Sequence, residues 1–317
     1  MNRASLAAAT ALLLPLALGA TGVSAQAPPR PRPTPRPPVF EVGIEVIQLN
    51  VSVTDPAGRY VTGLARKDFT IFEDGVKQDL TIFNHEDLPI SLVLMVDTSS
   101  SMDQKLPTAR AAAKRFVRTL RPTDVAQVVQ FNDRSTVLSD FTSDLPSLEA
   151  AVDKTEASGP TSLHNALYIA LKELGRQKKS GELRRRAIVL LSDGEDTASL
   201  VSDEQVMDLA RRTEINVYAI SLRQRRSSAT VEFSKAAHLL TSLARDTGGQ
   251  VHFPNSLSEL DGVYDRIAEE LRTQYSLGYV SSNKRQDGKW RRIVVRVAGR
   301  EDLSVRHKLG YYAGRTR

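Results

Sequence analysis

Ile90-Ser-Leu-Val-Leu-Met-Val-Asp97-Thr-Ser99-Ser-Ser101-Met102 is the stretch on which the fold turns. An apolar run of strand length ends in one carboxylate followed by alternating hydroxyls, so a buried strand delivers its oxygen donors together at its tip. Asp97 supplies charge, while Ser99 and Ser101, two positions apart, can aim neutral oxygens at one point. Hard cations such as Mg²⁺ take oxygen ligands of this kind in octahedral geometry. Serines after a strand also cap helices, so Ser99 or Ser101 capping a helix that begins near Met102 is the competing reading. The rest of the chain separates the two.

Two later stretches repeat the device. Ser158-Gly159-Pro160-Thr161-Ser162-Leu-His-Asn-Ala-Leu167 is a Gly-Pro loop entering an amphipathic helix and can present the Thr161 hydroxyl; Ile188-Val-Leu-Leu-Ser192-Asp193-Gly194 is an apolar strand that ends in a carboxylate. Around them strands and helices alternate. Strands are predicted at 92–96, 125–131, 187–191, 217–222 and 251–253, and helices over roughly 103–120, 145–155, 162–178, 202–212, 238–247 and 257–272. This alternation predicts an α/β fold with a mostly parallel sheet covered on both faces, its ligand site at the carboxyl ends of the strands.

Asp97-x-Ser99-x-Ser101, then Thr161 in a Gly-x-Thr-x-Leu context, then Ser192-Asp193-Gly194 after an apolar strand resembles, in this order, the von Willebrand factor A domain family over roughly residues 90–272. The resemblance implies a Rossmann-like, doubly wound fold with a metal-ion-dependent adhesion site, or MIDAS, at the top of the sheet. It implies Asp97, Ser99, Ser101, Thr161 and Asp193 as the ligand set, acting directly or through water, and all five positions match the family's pattern. The implied cation is Mg²⁺, with Mn²⁺ or Ca²⁺ as alternatives. Three of the five positions are neutral hydroxyls, so the cation stays under-neutralised and an open position draws in a carboxylate from another molecule. The expected partner is therefore a protein ligand that donates an Asp or Glu carboxylate.

Outside residues 90–273 the pattern changes. Residues 1–25 read as a secretory signal peptide, with Arg3, an apolar run from Leu6 to Ala20 and Val23-Ser-Ala25 as a small-x-small cleavage site. An uncleaved anchor is the alternative, although the run falls short of the ~20 residues a spanning helix needs. No later stretch could span a bilayer, so an exported, periplasmic or secreted chain without an integral membrane segment is expected. Residues 26–38, Gln-Ala-Pro-Pro-Arg-Pro-Arg-Pro-Thr-Pro-Arg-Pro-Pro, form a stiff polyproline-like linker. Residues 39–89 alternate as short strands (45–54, 69–72, 80–83) around turns at Asp55-Pro-Ala-Gly58 and Glu73-Asp-Gly75, and 274–317 return to strands at 275–280, 291–297 and 303–306. Neither set is secure alone. The two are expected to pair into one small β-sandwich-like module at the base of the α/β domain. This arrangement, including Tyr275-Ser-Leu-Gly-Tyr279, also resembles bacterial exported A-domain-related proteins, a likeness that implies no activity.

Composition removes other classes. The absence of cysteine excludes disulfides, thiolate metal sites and a cysteine nucleophile. The formal net charge of +6 is the one pointer to a polyanion, but three arginines lie in the Pro-rich linker, Arg184 to Arg186 precede a strand, and no recognition helix or aromatic-studded basic sheet accompanies them. Nucleic acid is not an expected partner. The five histidines, His85, His164, His238, His252 and His307, form no H-E-x-x-H pair, and no Gly-x-Ser-x-Gly elbow is present. A metal-dependent hydrolase would need a proton-transfer group by the metal, so a non-enzymatic binding module is expected, with an envelope scaffold as the alternative use of the same domain. His164 reads as a helix-surface residue, Asp103 as a first-turn carboxylate, Glu195 and Asp196 as rim charges, and Arg223-Gln-Arg-Arg226 as a solvated loop.

Overall fold

Ile90–Asp97 is buried at every position, which a strand with one solvated face could not be. In chain order the computed structural model, which describes residues 46–85, 88–177, 184–193, 196–222 and 235–314, has strands β1 (Val46–Thr54), β2 (Phe69–Glu73), β3 (Val76–Gln78), β4 (Leu80–Asn84) and β5 (Ile90–Asp97). There follow α1 (Leu106–Arg118), β6 (Val125–Phe131), β7 (Ser135–Val137), α2 (Leu145–Asp153), α3 (Leu163–Arg176), β8 (Arg185–Ser192), α4 (Asp203–Arg212), β9 (Ile215–Ser221), α5 (Lys235–Thr247) and β10 (Val251–His252). The chain then runs through α6 (Leu260–Thr273), β11 (Tyr275–Val280), β12 (Trp290–Val297), β13 (Ser304–Arg306) and β14 (Gly310–Tyr312). The signal-peptide and linker readings fall on residues outside those described, as does the loop containing Arg223 to Arg226.

The central sheet has the order β10-β9-β8-β5-β6-β7, parallel throughout except for the antiparallel edge strand β7. Alternate residues of β5 enter opposite layers. Leu92, Leu94 and Val96 pack with α1, α2 and α6, and Val93 and Met95 pack with α3, α4 and α5. Each fully buried Leu or Val side chain contributes about 1.5–3 kcal/mol by leaving water, so this double cover holds β5 at the centre. The strand order also reverses there: the chain builds β5, β6 and β7 to one side, then returns to lay β8, β9 and β10 on the other. The crevice of a doubly wound sheet opens at such a reversal, here between the carboxyl ends of β5 and β8.

The two flanks form a sandwich of sheets β13-β1-β11-β4 and β14-β12-β2-β3. Each sheet draws strands from both flanks: β1 pairs with β11 from Val46↔Val280 to Val51↔Tyr275, and β12 pairs with β2 from Ile293↔Glu73 to Val297↔Phe69. Its core, with Leu49, Val51, Ile71, Tyr275, Leu277, Tyr279, Ile293 and Val295, is therefore shared.

Polar groups tie the sandwich to the base of the central sheet. Glu270 of α6 accepts hydrogen bonds from Ser52 Oγ (2.8 Å), Tyr218 OH (2.8 Å) and Tyr60 OH (2.9 Å), and pairs with Arg306. Asn50 Nδ2 donates to Asn216 Oδ1 at the start of β9 (2.9 Å). Arg185 and Arg186, read from sequence as preceding a strand, lie inside β8 and are buried. The Arg185 guanidinium donates to the carbonyls of Leu271 (3.1 Å) and Gln274 (2.6 Å), and Arg186 pairs with Glu214 (2.7 Å). The carbonyls that Arg185 meets are those left over at the C-terminal end of α6, where a cation is favoured. The basic run is thus a structural joint.

Candidate metal centre

Asp97 is the last residue of β5, and Asp193 follows the last residue of β8, so the two carboxylates flank the point where the strand order reverses. After Asp97 the chain turns through a short 3₁₀ segment, Ser100–Met102, pinned by the fully buried Met102. Ser99 stands at its N-cap position without a side-chain capping bond, and the capping alternative fails there. Its hydroxyl instead meets Ser101 Oγ (3.1 Å), and Ser101 Oγ donates to Asp193 Oδ1 (2.8 Å). Asp97 Oδ1 accepts the Ser99 N–H (2.9 Å) and Oδ2 accepts Ser192 Oγ (2.6 Å). Four of the five sequence-derived positions are therefore neighbours in one hydrogen-bonded chain.

Thr161 joins them through the main chain of its loop. Ser158 N–H donates to Thr98 O (2.7 Å), Ser100 N–H to Gly159 O (3.0 Å), and Ser162 N–H to Asn132 O (2.6 Å). Gly159 has φ +69°, a left-handed conformation that glycine adopts without strain. From the other side, the loop after β8 clamps Thr161. Its N–H donates to Thr197 Oγ1 (3.1 Å), and its carbonyl accepts the N–H groups of Thr197 (2.8 Å) and Ala198 (3.1 Å).

Burial decides the electrostatics. Asp97 is 0% exposed, Ser99 2%, Thr161 4% and Asp193 8%, whereas Ser101 is exposed and leaves the cluster open on one side. Burial pushes the Asp97 carboxyl above its ordinary range; hydrogen bonds from Ser192 and Ser99 oppose this, and the charge of Asp193 adds to it. Two close carboxylates that both resist sharing a dry site call for a positive charge between them. Lys105 supplies part of it, pairing with Asp193 Oδ2 and donating to Ser101 O (3.4 Å). Among the described residues no three His, Cys, Asp or Glu side chains gather as a metal-binding group. The donor set is thus two carboxylates and hydroxyls, an all-oxygen chemistry that fits Mg²⁺, Mn²⁺ or Ca²⁺ and does not favour a soft metal.

The neighbouring candidates serve the loops. Asp196 accepts the His164 N–H (3.1 Å) and Ser199 Oγ (2.5 Å), while His164 Nδ1 meets Val201 O (3.1 Å), so the imidazole is turned to the loop after β8. Asp103 is exposed, and Glu195 lies outside the described residues. Leu200, on the loop that clamps Thr161, stands 95% exposed with its N–H held by Asn165 Oδ1 (3.1 Å). Sequence reasoning missed Lys105 and the roles of Ser192 and Thr197. The available signals were the spacing of Lys105, four residues after Ser101, and the hydroxyl immediately before Asp193.

A doubly wound α/β domain with oxygen donors at its reversal point, carrying a β-sandwich built from its own flanks, is the class that fold and site define. Residues 92–195 match the family model described as von Willebrand factor type A domain. A relative from Nocardia farcinica, called a UPF0353 protein, is 26% identical over an alignment of 226 residues that covers 60% of this chain and 66% of the relative's length. Among solved structures, von Willebrand factor type A from Catenulispora acidiphila has a TM-score of 0.50 at 13% identity, with 88% of this chain and 76% of that chain covered. That coverage is larger than residues 90–273 alone, so the likeness in fold extends into the flanks. Proximal thread matrix protein 1 of the mussel byssus, solved with a zinc-occupied MIDAS motif, has a TM-score of 0.48 at 19% identity over 64% of this chain and 50% of that chain.

Proposed function

We propose that the chain is an exported protein-binding module that captures a partner's Asp or Glu carboxylate through one divalent cation held by Asp97, Ser99, Ser101, Thr161 and Asp193. The observation that carries this reading is the convergence of two buried carboxylates and a serine pair at the ends of β5 and β8, open on the Ser101 side. When bound, the cation supplies charge and an open coordination position. Asp97 and Asp193 furnish the anionic charge, Ser192 and the Ser99 N–H hold the Asp97 carboxylate in place, and the clamp through Thr197 positions Thr161. Neutral hydroxyls leave the cation's charge partly uncompensated, which is what draws an outside carboxylate. Leu200 beside the rim offers that partner an apolar contact. Among the described residues no helix is long and apolar enough to cross a membrane. An envelope scaffold would use the same face, and the nearby imidazole, spent on Val201 O, offers no support for a hydrolase.

Titration calorimetry of the chain with Mg²⁺ and Mn²⁺ tests the site: one cation per chain is expected to bind, and Asp97→Ala is expected to abolish the heat. Unchanged binding by that variant would refute the assignment. Pull-down from envelope extract with and without EDTA tests the capture step. Thr161→Asp is expected to hold metal at least as tightly as the parent yet retain its partner at least tenfold less, because the added carboxylate takes up the cation's remaining charge. Partner binding that persists in excess EDTA would show that recognition uses another surface.

A further inference from the structure

Asp193 has both oxygens engaged: Oδ1 by the Ser101 hydroxyl (2.8 Å) and Oδ2 by the Lys105 ammonium. Its side chain is 1% exposed, whereas that of Lys105 is 34% exposed and reaches in from solvent at the start of α1, where it makes no side-chain cap. A second, weaker donation to Ser101 O (3.4 Å) holds the ammonium against the ligand loop. Asp97 has both of its oxygens filled by neutral donors, Ser99 N–H and Ser192 Oγ. Lys105 is thus the one cation that contacts the donor cluster among the described residues.

We propose that Lys105 is an internal counter-cation that sets the charge of the centre in both of its states. This inference rests on the cation reading above. Two carboxylates and one ammonium leave a single net negative charge, with Lys105 on one Asp193 oxygen. A divalent cation held beside Asp193, directly or through water, would meet the repulsion of that ammonium, so Lys105 weakens metal binding. Once the metal is in place, two carboxylates, one ammonium and a divalent ion sum to a net positive charge. Without Lys105 the same sum is zero. Lys105 therefore lowers affinity for the metal and raises the affinity of the loaded centre for an anion, and one substitution should move these two quantities in opposite directions.

The test uses the whole chain, with Mn²⁺ as the metal probe and acetate as the anion probe. Lys105→Gln is expected to bind Mn²⁺ about tenfold more tightly by calorimetry, Lys105→Arg within twofold of the parent, and Lys114→Gln, which removes a charge further along α1, also within twofold. Acetate entering the coordination sphere lowers the water-proton relaxation enhancement of bound Mn²⁺. That fall is expected at several-fold higher acetate in loaded Lys105→Gln than in the loaded parent. A residue that merely stiffened the loop would weaken metal and acetate binding together. If the parent binds Mn²⁺ and Asp97→Ala does not, but Lys105→Gln binds equally or less tightly, or takes up acetate as readily as the parent, the counter-cation role is overturned while the metal centre stands. A parent chain that binds no Mn²⁺ overturns both. Matched thermal melts confirm that each variant is folded.

Discussion

At the scale of single residues, the centre divides into groups that carry donors and groups that hold them. Ser192 belongs to the second kind. Its hydroxyl donates to Asp97 Oδ2 at 2.6 Å in a dry site, favouring the ionised carboxylate that a cation needs against the burial that disfavours it. Ser192→Ala is expected to cost about 1–3 kcal/mol of stability, because it leaves a buried acceptor unpaired. Cation affinity should fall about tenfold or more, the effect usual for partners that orient a ligand. The sign of the pH dependence follows from the upward shift of Asp97: without the donor, protons compete better for the carboxylate, so the loss seen by calorimetry should be larger at mildly acid than at mildly alkaline pH. The five candidate positions were named from sequence through their resemblance to a family pattern, and four of them meet in one hydrogen-bonded chain. Ser192 and Lys105 were not, since a serine or lysine at a strand end or helix start carries no mark of the carboxylate it will face.

At the scale of elements, periodicity located the buried strands and the amphipathic helices. It also located the start of α4, where Ser202 and Gln205 form a reciprocal cap. The three-residue strands β3 and β7 were missed because so short a run holds little pattern. Arg185 and Arg186 were placed outside their strand because charge outweighed context; their partners, the C-terminal carbonyls of α6 for Arg185 and Glu214 for Arg186, are remote in sequence. The approach of α5 and β10 to β9 is closer than any pattern could tell. A Cβ on Gly249 would lie 2.0 Å from Val217 O, which is backbone in the middle of a sheet and cannot yield. Gly249→Ala is therefore expected to lose about 3 kcal/mol or more, as overpacking does at its severe end, read as a lowered urea midpoint at unchanged slope.

At the scale of the whole molecule, the sandwich and the α/β domain share buried polar groups, and two buried imidazoles among their elements are expected to make the protein sensitive to acid. His252 lies on the edge strand β10 with its pKa lowered to about 4 by burial first and then by Arg266, and its Nε2 has no hydrogen-bond partner among the described residues. In the sandwich, burial likewise lowers the pKa of His307, whose Nε2 must stay unprotonated to accept the Val295 N–H (3.1 Å). Both imidazoles bind protons more readily when unfolded, where their pKa is about 6.5. Their contribution to stability is thus complete above that value and lost progressively as pH falls below it, for His252 towards about 4. Urea midpoints measured across that window should fall steadily. His307→Gln, which keeps an acceptor for Val295 but cannot titrate, should flatten the dependence relative to its own value at neutral pH. An equally steep fall in that variant would assign the sensitivity elsewhere.

By itself the sequence determined the strand and helix alternation, the oxygen-bearing residues at the strand ends and the need of each β flank for another. All of these are properties of local pattern, residue type and missing partners. Only the tertiary structure decided which donors face one another: the ammonium of Lys105 on Asp193, Ser192 on Asp97, and Glu270 shared by Ser52, Tyr60, Tyr218 and Arg306. The physical reason is range. Hydrophobic periodicity is written into neighbouring residues, whereas a buried charge is satisfied by whatever polar group the packing of distant segments brings within about 3 Å.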